Sequence, residues 1–330
     1  MQTREKRTTD NPRYIGTAAP AVAALVLAGV LVLLGACSTA VRRSGREFTL
    51  ASYNVHNLFD DRSDGSEFVG YRPESDGWGA VEFHTKAERT AEALRKVGAG
   101  ALPDIVALQE IENEHALEVL LSEYLPRSGY RWFVMPPRSG SSFRVAAASR
   151  FEIRSARVHS LYYLTHPLRD VLELEIDIDG RQMTLFVNHW PSKRGGAELS
   201  APLRDFTAAA VARRVNITQQ PGGAAAVVVA GDFNMEPAEF APEWQRLGLY
   251  NPWDTQDFPG SYHFRGSWSR IDSIFLSEAA QRGTFELVSF SVIHSNGFLD
   301  RHGVPRVWRP GSGGGYSDHL PLLARLRVAH

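Results

Sequence analysis

Cysteine is all but missing from this chain of 330 residues. Cys37 is the sole one, so no intrachain disulfide can staple the fold. A surplus of charge is missing too. Lys plus Arg number 36 against 37 Asp plus Glu, a formal net charge of −1. Bulk attraction to nucleic acid is thereby excluded, and any phosphate-binding surface must be local. No internal repeat is present, which removes solenoid and propeller architectures. The glycine-rich run Gly311 to Gly315 lacks the Lys-Ser/Thr pair of a nucleotide P-loop and leads toward a strand pattern rather than a helix. Past residue 47 there is no long apolar loop of the kind that reaches into lipid, only the mixed stretch 296–308. What remains, 43% hydrophobic and 22% charged residues, is ordinary for a globular protein.

The N-terminus is of another character. Arg4, Lys6, Arg7 and Arg13 precede an apolar stretch from Ala18 to Leu34, interrupted only by Pro20, and then Leu34-Gly35-Ala36-Cys37-Ser38. Small residues before a cysteine, directly after an apolar run, resemble the lipobox of bacterial lipoproteins. The resemblance implies a signal peptide over 1–36, a lipidated Cys37, a tether over 37–46 and an exported protein. Its N-terminal lipid would hold it on a membrane of the bacterial cell envelope. The alternative is an uncleaved anchor, for which the stretch is slightly shorter than the ~20 residues a spanning helix needs.

From 47 to 330 no composition break divides the chain, so a single domain is expected. Phe48 to Asn54 alternates as an early strand, and 60–79 is a Asp/Gly/Ser/Pro-rich loop. Residues 81–97 and 112–125 have helical periodicity on either side of a buried strand at 104–109. Two alternating runs flank Asp179-Gly180, a dipeptide favoured in two-residue hairpin turns. They put Leu172, Leu174 and Ile176 on one face, opposite Met183, Leu185 and Val187. A helix is expected over 199–218 with Ser200 as its cap and Pro202 near its first turn. Strands follow at 225–231, 271–276, 285–293 and 320–328. Many strands, few helices and an antiparallel hairpin predict an α/β protein of two packed sheets covered by helices.

Chemistry gathers at the ends of these strands. Counting back from the turn, Asp170 faces His189, and directly opposed residues have Cβ atoms about 4.5–5.5 Å apart. The Asp can then fix the imidazole's tautomer and raise its pKa while the other nitrogen faces substrate. The following Pro191-Ser192-Lys193-Arg194-Gly195-Gly196 offers two cations and permissive backbone for a phosphate. Glu110 closes an apolar strand, where a carboxylate is costly unless paired or bound to a metal. Asp232 and Asn234 share one face of extended chain. An Asp can take a proton from an attacking water while an Asn orients it or donates to phosphate oxygens. In Ser317-Asp318-His319 the acid can join a metal site and the imidazole can touch a non-bridging oxygen, oriented by Asp272. Each piece alone also reads as surface pairing or turn chemistry. Their co-occurrence carries the reading of metal-dependent phosphoester hydrolysis.

Taken in order, Asn54-Val55-x-Asn57-Leu58-Phe59, Val106-Ala107-Leu108-Gln109-Glu110, Asn188-His189-Trp190-Pro191-Ser192, Gly231-Asp232-Phe233-Asn234, Arg270-Ile271-Asp272 and Ser317-Asp318-His319 resemble the endonuclease/exonuclease/phosphatase superfamily. That group includes pancreatic-type deoxyribonuclease, abasic-site endonucleases, sphingomyelinases and inositol-polyphosphate phosphatases. The resemblance implies a four-layer α/β sandwich, two packed and mostly antiparallel β-sheets flanked by helices, over 47–330. It implies a Mg²⁺ (or Mn²⁺/Ca²⁺) site at Asn54 and Glu110, with Asp318 added from the reading above. It further implies a nucleophilic water at Asp232 and Asn234 and an Asp272–His319 pair. His189 matches the second histidine of deoxyribonuclease-like members, supported by Arg169-Asp170. His56 stands where abasic-site endonucleases carry an Asp, which argues against a second metal ligand there and against abasic-site specificity.

The expected function is a divalent-metal-dependent phosphodiesterase acting on nucleic acid, DNA first. Asn54, Lys193, Arg194 and Arg270 are its expected substrate contacts. Arg138, Arg144, Arg265, Arg301, Arg306 and Arg309 fall in predicted loops with Trp268 and Trp308 available for stacking, though such cations read equally well as a solvated surface. The rivals are a phospholipid or sphingomyelin phosphodiesterase, or a phosphomonoesterase, on the same scaffold. An inactive binding lipoprotein is disfavoured by the retained acids and imidazoles. No obligate protein partner is expected.

Overall fold

Strand alternation and helical stripes build two sheets, each with helices on its outer side. This computed structural model describes residues 45–329 except 74, 99, 138–139, 220–224 and 241. The first half threads β1 (Glu47–Leu58), α1 (Ala80–Val97), β2 (Ile105–Ile111), α2 (Glu114–Val119) with a π-helical turn (Leu120–Tyr124), β3 (Trp132–Val134), β4 (Arg144–Ser149) and β5 (Glu152–His159). A small hairpin, β6 (Tyr162–Tyr163) and β7 (His166–Pro167), precedes β8 (Val171–Ile178), β9 (Arg181–His189), α3 (Ala197–Gln219) and β10 (Ala226–Asp232). Then come α4 (Pro242–Gln245), a second hairpin of β11 (Tyr262–Phe264) and β12 (Ser267–Ser269), β13 (Asp272–Leu276), α5 (Glu278–Arg282), β14 (Phe285–Val292) and β15 (Leu322–Val328).

One sheet of six strands runs β14-β15-β1-β2-β4-β3, and one of five runs β13-β10-β9-β8-β5. Each contains one parallel neighbour pair, β1–β2 and β9–β10, among antiparallel ones. The period of two decides which core each residue enters. Along β10, Ala226, Val228 and Ala230 join the main core, while Val227 and Val229 pack outward with Ala208, Val211, Ala212 and Val215 of α3. Leu172, Leu174 and Ile176 pair with Val187, Leu185 and Met183 as the hairpin count predicts. On the far side, Phe83, Ala87, Ala91 and Leu94 recur at helical spacing and bury α1 against the six-stranded sheet. The result is the four-layer α/β sandwich, helices outside and sheets within. Gly231 is required where β10 meets β9: its φ is +145°, and a Cβ there would lie 2.0 Å from the Asn188 carbonyl oxygen.

Three local expectations are corrected. β1 continues past Asn54 through a bulge to Leu58. α3 begins at Ala197, so Ser200 is inside it and does not cap it; its hydroxyl donates to the Gly196 carbonyl (2.7 Å) and accepts from Arg204 (2.7 Å). The helix expected over 112–125 is instead capped by Asn113, whose side chain accepts from Ala116 N–H, and finishes in the π turn. Among the described residues no helix is long and apolar enough to cross a membrane. The 1–36 segment, Cys37 and the tether to 44 lie outside them.

Candidate active site

Strand direction brings the polar motifs to one edge of the sandwich. β1 and β2 run parallel and align Asn54 with Gln109. β9 and β10 run parallel and align His189 with Asp232, and β13, antiparallel to β10, sets Asp272 beside Asp232. Both strands of the first pair are bulged at that edge, between Asn54 and Leu58 and between Gln109 and Ile111. There His56, Asn57 and Glu110 take left-handed conformations (φ 57°, 64° and 66°), as does Asn234 (φ 51°). Such a conformation costs roughly 1–2 kcal/mol for a residue with a side chain, so the surroundings must hold it. Asn57 N–H does so by donating to Glu110 Oε2 at 3.0 Å. The bulge turns Glu110 out of strict alternation, into the space between the sheets' ends.

Asn54 is fully buried and organises the centre. Its Nδ2 donates to Glu110 Oε1 (3.2 Å) and to Asp232 Oδ2 (3.0 Å), and its Oδ1 accepts from His56 N–H (3.0 Å). Two imidazoles flank Asp232. His189 Nε2 is 3.6 Å from Asp232 and 3.7 Å from Glu110. His319 Nε2 is 3.9 Å from both Asp232 and Asp318, while its Nδ1 meets Asp272 Oδ2 at 2.8 Å. Ser261 donates to that same Asp272 oxygen at 2.6 Å. Asn234 N–H donates to Asp232 Oδ1 (2.9 Å), and its amide donates to the Trp190 carbonyl (3.0 Å). Ser317 ties the last loop to β1, donating to the Asn54 carbonyl at 2.7 Å and accepting from His319 N–H at 3.0 Å.

Burial and charge set the protonation states. Burial pushes the Asp232 carboxyl up to about 7, with the Asp272 charge adding to it against the pull of His319. Burial opposes a charge on His319, but Asp272, Asp232 and Asp318 together outweigh it and hold that ring's pKa well above the ordinary value. Burial, aided by the Arg169 guanidinium, holds His189 well below it. The Asp318 carboxyl is lowered despite burial, because His56 and His319 face it. The centre is therefore rich in oxygen donors with one cationic and one neutral imidazole.

That donor set fits a hard divalent cation. Asp232, Asp272 and His319 have ligand atoms within 4.8 Å of one another, but Asp272 Oδ2 already accepts from Ser261 and meets His319 Nδ1, so this trio is a hydrogen-bonded relay. Glu110 and Asp318 are the part-exposed carboxylates, with side chains 16% and 29% accessible. Asn54 turns its Nδ2, not its oxygen, to the carboxylates, so its observed role is to space Glu110 and Asp232.

Other expected residues are placed less centrally. Asp170 is buried just before β8, two residues beyond the last ladder pair of the hairpin, yet His189 Nδ1 has no hydrogen-bond partner among the described residues. Lys193 pairs with Glu239 at 3.2 Å, and Arg194 lies over the Phe68 ring. Arg270 departs from the expected substrate contact: its guanidinium donates to the carbonyls of Trp253, Gln256, Phe258 and Pro259 and braces that loop. Arg144 is buried at the start of β4, donating to the Glu112 and Pro136 carbonyls, and Trp308 is buried edge-on to Trp78, so neither is a free loop group. Trp268 is half-buried against Phe258 and His263. Arg138 lies outside the described residues.

Sequence reasoning missed Ser261, Tyr262 and Lys86. The Tyr262 ring lies 4.7 Å from the His319 ring, and the buried Lys86 Nζ donates to the Tyr316 carbonyl at 2.8 Å. Burial lowers the Lys86 ammonium to about 7, against the pull of Asp318 and Glu110. The available signal was weak: a lysine on the apolar stripe of α1, and an aromatic two residues from a turn.

The model of the Endonuclease/Exonuclease/phosphatase family matches residues 49–328. No curated protein sequence matches the chain. Among solved structures, truncated TDP2 from Caenorhabditis elegans is similar at 19% identity and TM-score 0.58, covering 86% of this chain and 98% of that one. An endonuclease/exonuclease/phosphatase family protein from Bacteroides thetaiotaomicron is similar at 18% identity and TM-score 0.58, covering 87% and 99%. So is D. rerio TDP2 complexed with single strand DNA product, at 17% identity and TM-score 0.58, covering 86% and 99%.

Proposed function

Since this chain belongs to the endonuclease/exonuclease/phosphatase family, we propose that it is a divalent-metal-dependent phosphodiester hydrolase, a nuclease that cuts DNA by water attack on phosphorus. The observation that carries the proposal is Asp232 held between the His189 and His319 imidazoles at 3.6 and 3.9 Å, burial lowering the pKa of the first and neighbouring carboxylates raising that of the second. A carboxylate whose pKa is raised to about 7 is matched to taking a proton from water at neutral pH. Asn234, tied to Asp232 through its own N–H, fixes where that water stands. The charged His319, anchored by Asp272, donates to a non-bridging phosphoryl oxygen and stabilises the charge that develops there. The neutral His189 can donate from Nε2 to the phosphate without repelling a cation. Glu110 and Asp318 would hold Mg²⁺ (or Mn²⁺/Ca²⁺). Such an ion supplies charge neutralisation at the phosphoryl oxygens.

DNA is favoured by the D. rerio TDP2 neighbour, which is complexed with single strand DNA product, and by the Arg194 and Arg309 guanidinium groups, which line a space shared with His56 and Asn57. The test is a substrate panel of duplex and single-stranded DNA, RNA, sphingomyelin and inositol phosphates, each with and without Mg²⁺. Mg²⁺-dependent acid-soluble release from DNA, lost on chelation, is expected. Turnover of sphingomyelin or an inositol phosphate alone would move the chain to the lipid phosphodiesterase or phosphomonoesterase reading.

We also propose that 1–36 is removed on export and that Cys37 carries the lipid that tethers the 47–330 domain to the cell envelope. The support is the lipobox-like run Leu34-Gly35-Ala36-Cys37. Labelling with a fatty-acid probe should vanish in Cys37→Ala, and labelling that persists would overturn it.

A further inference from the structure

A cavity of about 380 Å³ adjoins the catalytic centre, and its lining includes His56, Asn57, Phe68, Tyr71, Arg194 and Arg309. Small-ligand sites start at roughly 300 Å³. Its inner end is the centre itself: Asn57 N–H holds Glu110, and His56 Nε2 lies 3.9 Å from Asp318. Its wall is built by the loop between β1 and α1, which brings Phe68 against Phe143 and Tyr71 against Phe59. Asn57 Nδ2 donates to the Tyr71 hydroxyl at 2.7 Å and ties that wall to the bulge. Its rim carries Val69, 65% exposed, and the exposed Arg194 and Arg309. Arg194 lies over the Phe68 ring at 5.7 Å, and neither guanidinium meets a carboxylate among the described residues.

We propose that this cavity receives the unpaired nucleotide next to the scissile phosphate, its base taking the place over Phe68 that the Arg194 guanidinium holds here, beside the edge of Tyr71, and its outer phosphate on Arg194 and Arg309. Three features select that occupant. The aromatic wall suits a π face of any base. Two cations without a carboxylate partner at the mouth suit an anion and oppose an acyl chain, which would bring them no counter-charge. A base must also offer a free face to that wall, and a base inside a duplex has both faces covered, so the occupant is single-stranded or flipped out. This inference rests on the phosphodiesterase reading above and adds a substrate preference to it: single strand over duplex.

The experiment uses the full chain and two readouts. Anisotropy of a fluorescein-labelled single-stranded decadeoxynucleotide, in EDTA, reads binding without turnover. Turnover with Mg²⁺ is compared between that decamer and methyl p-nitrophenyl phosphate, which has no base beside its leaving group and no outer phosphate for Arg194 and Arg309. In Phe68→Ala and in Arg194→Ala/Arg309→Ala, decamer affinity should fall about tenfold. The loss of kcat/KM on the decamer should exceed the loss on the small diester by a similar factor. The double variant should also show a shallower dependence of affinity on salt, as expected when phosphate contacts are removed. Should Phe68→Ala perturb folding through Phe143, the surface double variant alone decides. Equal losses on both substrates, or unaltered decamer affinity, would overturn the cavity's role. Variant-sensitive binding to phosphatidylcholine vesicles but not to the decamer would overturn it in favour of lipid. Absence of turnover by the unmodified chain would sink the phosphodiesterase reading, while anisotropy would still judge the cavity.

Discussion

His189 and His319 approach one carboxylate from different sheets, and their pKa values are moved in opposite directions. His189 ends β9 of the five-stranded sheet, and His319 sits in the segment leading into β15 of the six-stranded sheet. Both are buried and both lie within 4 Å of Asp232. The difference is behind the ring. His319 turns Nδ1 to the Asp272 carboxylate, whose charge overcomes the cost of burying a cation. His189 Nδ1 has no hydrogen-bond partner among the described residues and its ring lies in the field of Arg169, so burial prevails although Nε2 lies near Asp232 and Glu110. The group behind an imidazole, more than its depth, decides whether it serves as a cation or as a neutral donor.

The contrast is broken most severely by removing what both rings face. Asp232→Asn or His319→Ala should lower kcat on a phosphodiester by ~10²–10⁴, the range for loss of a positioned acid–base group, with the thermal midpoint little altered for the isosteric Asn. Residual activity within a few-fold of the unmodified chain would mean that the proton leaves by another route. The next step separates the rings. Asp272→Asn should cost on the order of 10² in activity, as loss of an orienting partner does. It should also shift the pH profile in a stated direction. His319 is charged across neutral pH because its pKa is raised. Without Asp272 that pKa falls, so the alkaline limb of kcat/KM moves to lower pH. ¹⁵N spectra should show a protonated His319 and a neutral His189 in the same sample at pH 7. Two rings titrating together would erase the distinction.

How much of this was legible in the sequence depends on what each feature needed. The hairpin was, because a period of two and Asp179-Gly180 fix its register without distant information: Ile178 pairs with Arg181 as counted. The motif residues Glu110, Asp232, Asp272 and His319 were, because polar groups at or near the ends of apolar strands are conspicuous. The bulge at Asn54–Leu58 was not, since His56, Asn57 and Glu110 adopt positive φ without being glycine. That choice is forced by Asn57 N–H bonding Glu110 across two strands. The fate of Arg270 was not either. Its neighbours in sequence suggest an anion site, but the four carbonyls that engage it come from a loop whose path no local pattern predicts. The failure of the expected Asp170–His189 bond belongs here too. The ladder ends at Leu172–Val187, two residues short of that pair, and no local pattern marks where a ladder stops.

A smaller effect should come from adding the ion. Saturating Mg²⁺ at ~100 times its dissociation constant stabilises a folded state by about 2.7 kcal/mol, read as a rise in thermal midpoint. The rise should shrink in Glu110→Ala and Asp318→Ala. If it survives intact in both variants, the ion binds elsewhere, and the acidic trio Asp64, Glu67 and Glu112 becomes the first place to look.

The smallest effect on turnover is expected from a buried acid–imidazole contact outside the site, and it tests whether such a contact is catalytic by nature or by location. Glu173 on β8 meets His159 at 2.6 Å, Arg157 at 2.8 Å and Arg214 at 2.6 Å. Burial opposes its charge, but Arg214 and His159 together outweigh burial and draw the carboxyl down to about 2 from 4.5. A folded-state pKa below the unfolded value contributes stability that is present above pH 4.5 and is lost as pH falls toward 2. Glu173→Gln should therefore cost on the order of 3 kcal/mol at pH 7, as breaking a buried pair does, and the cost should fade in the acid range. Denaturant midpoints at pH 7 and pH 3 measure both numbers. Turnover at 25 °C should stay within about twofold of the unmodified chain. A Glu173→Gln variant that folds normally but loses activity as Asp272→Asn does would show that the sheet transmits charge to the centre, and that the surroundings of His319 alone do not explain its protonation.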